Sequence, residues 1–510
     1  MSDEPSNWVS PTSHPQVALA TLSAPDGTVA RVEFSRDGSF SRYTWWVPAP
    51  PGGGTVSILV AGMLAGSTYN MRARFQWPSG SSIVTGPAQF KTGPLPSGLP
   101  TLTAGPTPGA SPSPGVELVN IIDPIGISLV PDLNGNILWY YNNVQDKGWG
   151  GYAFPIKQLA NGNFLASITN LYMPNVPPNE SVLREVDLAG DTVQVPAGPR
   201  ELWLADLNQK LTKVPSTKGT IVQALTYSHD VLPLPDGGAV LIVQEVRSVF
   251  VSTPPGPGEF VVLGDALVHL DAKWNPVWVW STFDNLDVNR HPYGFDAQNQ
   301  YDWTHCNTIA LAPDGNLLLS SRHQNWILKI CWEGGAGDGK ILWTFGYQGS
   351  FALQGGDPTQ WCFAQHYAHI IEASGNQITT LSVFDNGNDR CYASPEGCGP
   401  SAPPPFSRGA MFKIDEVGQK AALAWQYLLN QYSFWGGNTV LLPNGDIEVC
   451  ASEPVPIGPG PAWSGSEVDT PSYVVELSPS MDVVWRMEVI TGGAYRSYRI
   501  PSLYPGVTWS

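Results

Sequence analysis

The sequence predicts an all-β fold, a six-bladed β-propeller preceded by a small β-sandwich. Three observations carry that prediction. A turn of the type Pro-Asp-Gly or Asn-Gly recurs along the chain, a tryptophan-bearing strand accompanies it, and a Pro/Gly/Ser/Thr-rich stretch sets off the N-terminal part. The turns are LNGN (133–136), ANGN (160–163), PDGG (235–238), PDGN (313–316), ASGN (373–376) and PNGD (443–446). Such dipeptides favour tight hairpins between apolar strands. From Gly162 through Gly237, Gly315, Gly375 and Gly445 the steps are 75, 78, 60 and 70 residues, each the length of a four-stranded sheet with one long loop. The tryptophan strands are ILWYY (Trp139), VWVW (Trp280), ILWTF (Trp343), LAWQY (Trp425) and VVWRM (Trp485). Repeats of this period suit a propeller, with the indoles wedged between adjacent sheets. Five full units and a partial one at 116–141 make six. The partial unit needs a partner from the C-terminal segment AYRSYRIPSLYP, which closes the ring. An array of β-sandwiches is the alternative, and it leaves the recurrence of the same turn and the same Trp strand without a reason.

The stretch PLPSGLPTLTAGPTPGASPSPG (94–115) contains no charged residue and reads as a linker that packs no core. It divides an N-terminal β-sandwich domain (1–93) from a propeller domain (116–510). The first domain alternates apolar and polar residues in TVARVEF, SRYTWWV, TVSILVAGM and YNMRARFQW. Its run AGMLAGSTYNMRARF (61–75) resembles the stretch before the last strands of a fibronectin type III-like sandwich, and that resemblance makes Tyr69 the residue that caps a corner.

With 510 residues the chain is too long for one ordinary core. Its net charge of −17 argues against a nucleic-acid or anionic-membrane partner, since phosphate binding needs a basic surface. The start, MSDEPSNW, is acidic and polar with no apolar run behind it, which reads as a cytoplasmic chain unless a leader has been trimmed. TVSILVAGMLAG (55–66) is too short to span a bilayer. None of the six cysteines forms a CxxC pair, which removes zinc-ribbon and thioredoxin readings. Cys391 and Cys398 flank a Pro/Gly loop, and both a disulfide and free thiols fit that spacing.

The chemistry concentrates in DWTHCNTIALAPDGNLLLSSRHQN (302–325). With Asp314-Gly315 as a two-residue turn, Leu311 faces Leu318 and Asn307 faces Arg322. His305 then points the same way as Asn307. In a propeller the first strand of each blade lines the central channel, so these three groups sit at its mouth. SHDVLPLPDGG places His229, and AQHYAHIIEASGN places His366, at the same point of two further blades. Three repeats aiming a histidine at one axis point to a functional cluster. The histidines lie eight, ten and nine residues before their turn glycines, so His366 requires a bulge or a longer turn at Glu372–Ser374, and His369 competes for its place. His14 and His269 have no partner motif, His291 reads as loop surface, and His323 is expected on the opposite face from Arg322.

Arg offers a planar fork of donors to a tetrahedral oxyanion, and neutral His is both a donor and a nucleophile. That set suits transfer of a sulfuryl or phosphoryl group through a covalent His intermediate. No GxxxxGK[ST] loop is present to cradle a nucleotide donor. HDVLPLPDGG, DWTHCNTIALAPDGNLLLSSRHQNWILKI and QHYAHIIEASGN…VFDNG resemble the signature segments of bacterial aryl-sulfate sulfotransferases, over most of residues 116–510. The resemblance implies a nucleotide-independent, cofactor-free, periplasmic enzyme that moves sulfate from an aryl sulfate to a phenol by a ping-pong path through a sulfohistidine. It implies His366 as nucleophile, His305, Asn307 and Arg322 as holders of the sulfuryl oxygens, His229 as acid/base, and Thr439 as a further substrate contact. The stretch after His366 is longer than the family pattern. Two other classes compete: a metal-dependent lyase or oxygenase with His229, His305 and His366 as ligands, disfavoured by the adjacent guanidinium, and a binding propeller without turnover. A homodimer through the sandwich domain is a further expectation.

Overall fold

The computed structural model describes residues 8–509 apart from 124–125, 143–151, 170–180, 254–256, 293–300, 374–377, 389, 396, 399–401, 403 and 458–469. Most of the ASGN turn thus lies outside the described residues. The described chain is almost entirely strand and turn, so the all-β class holds. Every second side chain of Ala18–Ala24, Gly54–Val60 and Thr68–Gln76 is buried, the period of a strand with one wet face. These strands belong to two sheets, one with Val9–Pro11, the other including Val29–Ser35 and Ala88–Lys91, and their inner faces share one core. The Tyr69 hydroxyl accepts the Leu64 backbone N–H at 2.9 Å, which ties a corner of this unit.

That core does not stop at the sandwich. It runs on through Trp139 and Phe164 and takes in Leu503, Tyr504 and Trp509 from the other end of the chain. The buried Tyr504 hydroxyl accepts from Ala61 N–H at 2.7 Å and donates to the Leu59 carbonyl at 2.9 Å.

The stretch 94–115 differs from its reading as an idle linker. Leu102–Pro106 is a strand that pairs antiparallel with Val483–Val489, while Leu95, Leu99 and Ala104 pack on the sheet it joins. Leu and Thr supply strand character there, and the outermost place in a sheet tolerates Pro and Gly.

Six sheets of four or more strands follow among the described residues, antiparallel except for two short edge pairings, Tyr301–Asp302 and Ala352–Leu353. Five of them start from an inner strand: β1 (Tyr152–Gln158), β2 (Ala224–Pro233), β3 (Cys306–Leu311), β4 (His366–Ala373) and β5 (Asn438–Leu441). The sixth combines Val116–Asp123, Ile127–Pro131 and Ile137–Asn142 with β6 (Gly493–Ile500), which lies against Val116–Asp123 from the far end of the sequence. Contacts run from β1 to β2 and on in order to β6, and Val116–Asp123 returns them to β1.

The tryptophans explain why neighbouring sheets hold their places. Trp139, Trp280, Trp343 and Trp485 are buried, and each indole N–H donates into the following sheet or its loops: to Leu188 O at 2.8 Å, Gly339 O at 2.8 Å, Glu416 Oε2 at 3.1 Å and Leu133 O at 2.7 Å. A large apolar body with one donor at its edge fits such a seam. Trp425 packs against the following sheet's core.

Tyr504→Phe keeps the ring and removes the hydroxyl that bridges two buried backbone groups. It is expected to lower unfolding stability by about 1–3 kcal/mol, read by chemical denaturation.

Candidate active site

The inner strands carry their irregular backbone where the histidines sit. The ladder of β2 breaks between Tyr227 and Val231, that of β3 between Cys306 and Thr308, and that of β4 between His366 and His369. His229 and His305 have φ of 41° and 45°, a left-handed conformation sparsely populated by non-glycine residues. Together, bulge and positive φ release these side chains from strict alternation.

Rings from separate sheets then meet. The His229 and His305 centroids are 4.5 Å apart, and Tyr495 of β6 lies 6.2 Å from His229 and 5.9 Å from His366. Phe154 of β1 stands 5.3 Å from Tyr495, and Trp435 stacks over Tyr495 at 6.4 Å.

Arg322 reaches the cluster by another route than its expected register. Ala312 N–H donates to Asn316 O and Gly315 N–H to Ala312 O, so the loop is Pro313-Asp314-Gly315, with Gly315 at φ 82°. Three loop residues shift the ladder by one, so that Leu311 faces Leu317 and Thr308 faces Ser320. The bulge at Asn307 shifts it again, and Arg322 N–H donates to His305 O at 3.2 Å. Arg322 therefore neighbours His305 rather than Asn307. It opens a short 3-10 helix, Arg322–Gln324, which also corrects the expectation for His323. The His323 ring is buried 4.5 Å from His305, its Nδ1 2.6 Å from the Asp302 carbonyl and its Nε2 2.5 Å from a guanidinium nitrogen of Arg322. A carbonyl can only accept, so Nδ1 carries the proton and Nε2 accepts from Arg322. A second guanidinium nitrogen donates to Phe434 O at 3.1 Å.

Each of the three predicted histidines has a partner at Nδ1. The His229 nitrogen lies 2.7 Å from Ser228 Oγ, and that of His305 bonds the Asp302 carboxylate. His366 Nδ1 lies 2.7 Å from Asn386 Oδ1, while Asn386 Nδ2 donates to Ser433 O at 2.9 Å and Gly436 O at 3.1 Å. Those two carbonyls fix which end of the amide faces the ring. Oδ1 must accept, so His366 carries its proton on Nδ1 and presents a bare lone pair on Nε2.

Asn307 and Thr439 are placed differently. Asn307 Nδ2 donates to the Gln365 carbonyl at 2.8 Å, and its Oδ1 accepts from Thr308 Oγ1 at 3.1 Å. Its amide thus braces the residue before His366. Thr439 is buried against the backbone of Gly409, between the fourth and fifth sheets. His369 stacks with Tyr367 at 4.1 Å and feels the charges of Lys157, Asp230 and Arg496, a separate setting from the His229–His305–Tyr495 group.

Beneath the histidines lies a fully buried ion pair. The Arg496 guanidinium of β6 bonds Asp230 Oδ2 at 3.1 Å, Thr308 Oγ1 at 3.0 Å and the Asn307 carbonyl, and Lys157 Nζ reaches Asp230 Oδ1 at 2.6 Å. Four inner strands are joined at one point.

Comparison with known proteins bears on this arrangement. The family model described as arylsulfotransferase (ASST) matches residues 120–455, about two thirds of the chain. The chain belongs to the arylsulfotransferase family. No curated protein matches it. Among solved structures it is similar to a Bacteroides caccae protein of unknown function at 12% identity, covering 76% of this chain and 98% of that one with a TM-score of 0.39. It is also similar to a Pseudomonas brassicacearum lignostilbene dioxygenase at 11% identity, covering 96% and 95% with a TM-score of 0.33. At such scores neither likeness bears on function.

For a sulfotransferase the dryness of the cluster matters. Burial above all, and then the positive charge of neighbours, holds His229, His323 and His366 well below the usual 6.5; for His366 that neighbour is Arg322. Asp302, His305 and His323 offer ligand atoms close enough for a metal ion. Both His323 nitrogens are already bonded within the protein, however, and a guanidinium occupies the same corner, so the set does not suit a cation.

A ring kept neutral in the folded state takes up its proton only on unfolding below about pH 6.5, so stability falls as pH drops through that value. Nitrogen NMR of histidine-labelled protein is expected to show His366 as the Nδ1–H tautomer from pH 8 down to about pH 5, where an ordinary imidazole is almost all protonated.

Proposed function

We propose that this family member moves a sulfuryl group from an aryl sulfate to a phenol, with the covalent intermediate on His366. We also infer that the six sheets are the blades of one propeller behind a fibronectin III-like unit. The observation that carries the reading is the Asn386 amide, anchored by two carbonyls so that its oxygen faces His366 Nδ1. It sets the one tautomer in which Nε2 is a nucleophile, and burial keeps that tautomer free of a second proton.

In the first half-reaction Nε2 attacks sulfur, the S–O bond to the aryl group breaks, and the electron pair leaves with the aryl oxygen. In the second, a phenol oxygen attacks the sulfo group, the N–S bond breaks, and its electron pair returns to Nε2. Transfer of this type passes through a loose transition state in which fixed donors stabilise charge on the three non-bridging oxygens. Arg322 supplies a permanent charge for that task, and the family resemblance gives His229 the part of acid/base. Phe154, Tyr495, Trp435 and Phe434 give the surroundings an aromatic surface suited to an aryl ring. The Cys391–Cys398 disulfide fits an oxidising compartment, as the family's periplasmic setting requires. No helix among the described residues is long and apolar enough to cross a membrane.

Incubation with 4-nitrophenyl sulfate and a phenol tests the reading. The wild type is expected to release 4-nitrophenol and to show one added sulfo group on the His366 peptide. His366→Ala is expected to lose at least about 1,000-fold in turnover, and Asn386→Leu, which frees the ring to adopt either tautomer, about 100-fold. Wild-type protein that releases no phenol from any aryl sulfate, with or without added divalent metal, refutes the proposal.

A further inference from the structure

Of the three histidines, His305 is the one whose Nδ1 bonds a carboxylate, that of Asp302. Its surroundings are built to hold that bond. The long hairpin of Ala239–Val251 and Gly258–Leu270 extends beyond its sheet, and Tyr301–Asp302 pairs alongside the second of these strands, with Leu263 beside Asp302. Asp265, on the same strand, accepts from Thr304 Oγ1 at 2.6 Å and from Cys306 N–H at 2.7 Å, clamping the residues on either side of His305. His323 holds the Asp302 carbonyl from below. The His305 side chain is 19% exposed, against 3% and 2% for His229 and His366 as residues.

Those facts separate two kinds of work. A ring that shuttles a proton must accept positive charge and must exchange its proton with water. A carboxylate at Nδ1 offsets that charge and turns Nε2 outward, as in the Asp-His pairs of hydrolases. His229 has a serine hydroxyl in that place, lies deep, and is held neutral by burial and by the charges of His305, Arg496 and Arg322. Burial works against an ionised Asp302, yet His305 above all outweighs it, by charge and by hydrogen bond, and holds the carboxyl far below the usual carboxylate range.

We propose that His305, positioned by Asp302, is the proton carrier of the reaction in place of His229, to which the family resemblance gives that role, and that His229 is a neutral donor to the sulfuryl group. The proposal rests on the sulfotransfer reading above. In the first half-reaction doubly protonated His305 gives its Nε2 proton to the departing aryl oxygen as the S–O bond breaks, leaving a neutral phenol, neutral His305 and sulfo-His366. In the second, neutral His305 takes the proton of the incoming phenol as its oxygen attacks sulfur, which restores the starting charge on both rings.

A proton donor matters most when the leaving oxygen is basic, and a structural lesion slows all substrates alike. The test is single-turnover phenol release from a series running from 4-nitrophenyl to phenyl sulfate. His305→Gln and Asp302→Asn are expected to slow phenyl sulfate about 100-fold and 4-nitrophenyl sulfate less than about 5-fold. His229→Gln is expected to slow both to the same degree. Turnover of 4-nitrophenyl sulfate by each variant shows that its site is assembled, and should Asp302→Asn fail to fold, His305→Gln decides. Equal loss on both substrates for His305→Gln, or a leaving-group dependence that appears with His229→Gln instead, overturns the assignment. Absence of phenol release by the wild type refutes the sulfotransfer reading itself, a distinct failure.

Discussion

One guanidinium fixes the geometry on which the rest relies. Arg496 has no exposure to solvent, and a buried charge is tolerable only when paired and hydrogen-bonded. Its two terminal nitrogens are bonded through Asp230, itself fully buried and tied to Lys157, and through the Asn307 carbonyl and the Thr308 hydroxyl, while its Nε is left without a partner among the described residues. Three of these residues lie next to, or two away from, a ring of the cluster: Asp230 follows His229, Asn307 lies two past His305, and Arg496 follows Tyr495. Removing Asp230 would strand two cations in a dry interior, a cost of about 3–5 kcal/mol. The positions of the rings above are thus set from below by electrostatics.

A second theme is the economy of charge in the cluster. A dianionic pocket would repel a sulfate ester, and a pocket of protonated imidazoles would have no nucleophile. The arrangement avoids both. Arg322 carries a charge that titration does not remove. His323 braces that guanidinium with its neutral nitrogen, and Asn386, an amide where a carboxylate would have favoured imidazolium, leaves His366 uncharged. The single carboxylate bonded to a cluster histidine, among the described residues, sits at the rim on His305.

Much of this could be read from the sequence because it is periodic. Turn glycines and Trp strands repeat, so the sheets, their seams and the convergence of His229, His305 and His366 from three of them follow from counting. What did not follow is whatever depends on one residue more or less. Pro313-Asp314-Gly315 forms a three-residue loop where the dipeptide alone suggested two, and the bulge at Asn307 shifted the ladder a second time. Arg322 met His305 after both shifts, but the reading of His323 as facing away failed because the strand ends in a 3-10 turn there. Asp302 and Asn386 lie within the very segments that carried the family resemblance, DWTH and FDNG. Their roles are invisible without the third dimension, since each acts through the orientation of another residue's ring. The stretch 94–115 misled for a compositional reason: Pro and Gly signal a linker, yet an outermost strand tolerates both.

The pairing of β6 with Val116–Asp123 joins residues some 380 positions apart, as in the bond from Ser497 to Glu117. A chain emerging from the ribosome must therefore hold the sheet of Val116–Asp123 incomplete, with an apolar flank uncovered, until β6 has been synthesised. The same strand brings Tyr495 and Arg496, so the pocket's base is delivered last. The histidines precede β6 in the chain, so their rings gain the buried base that fixes them only when that strand docks.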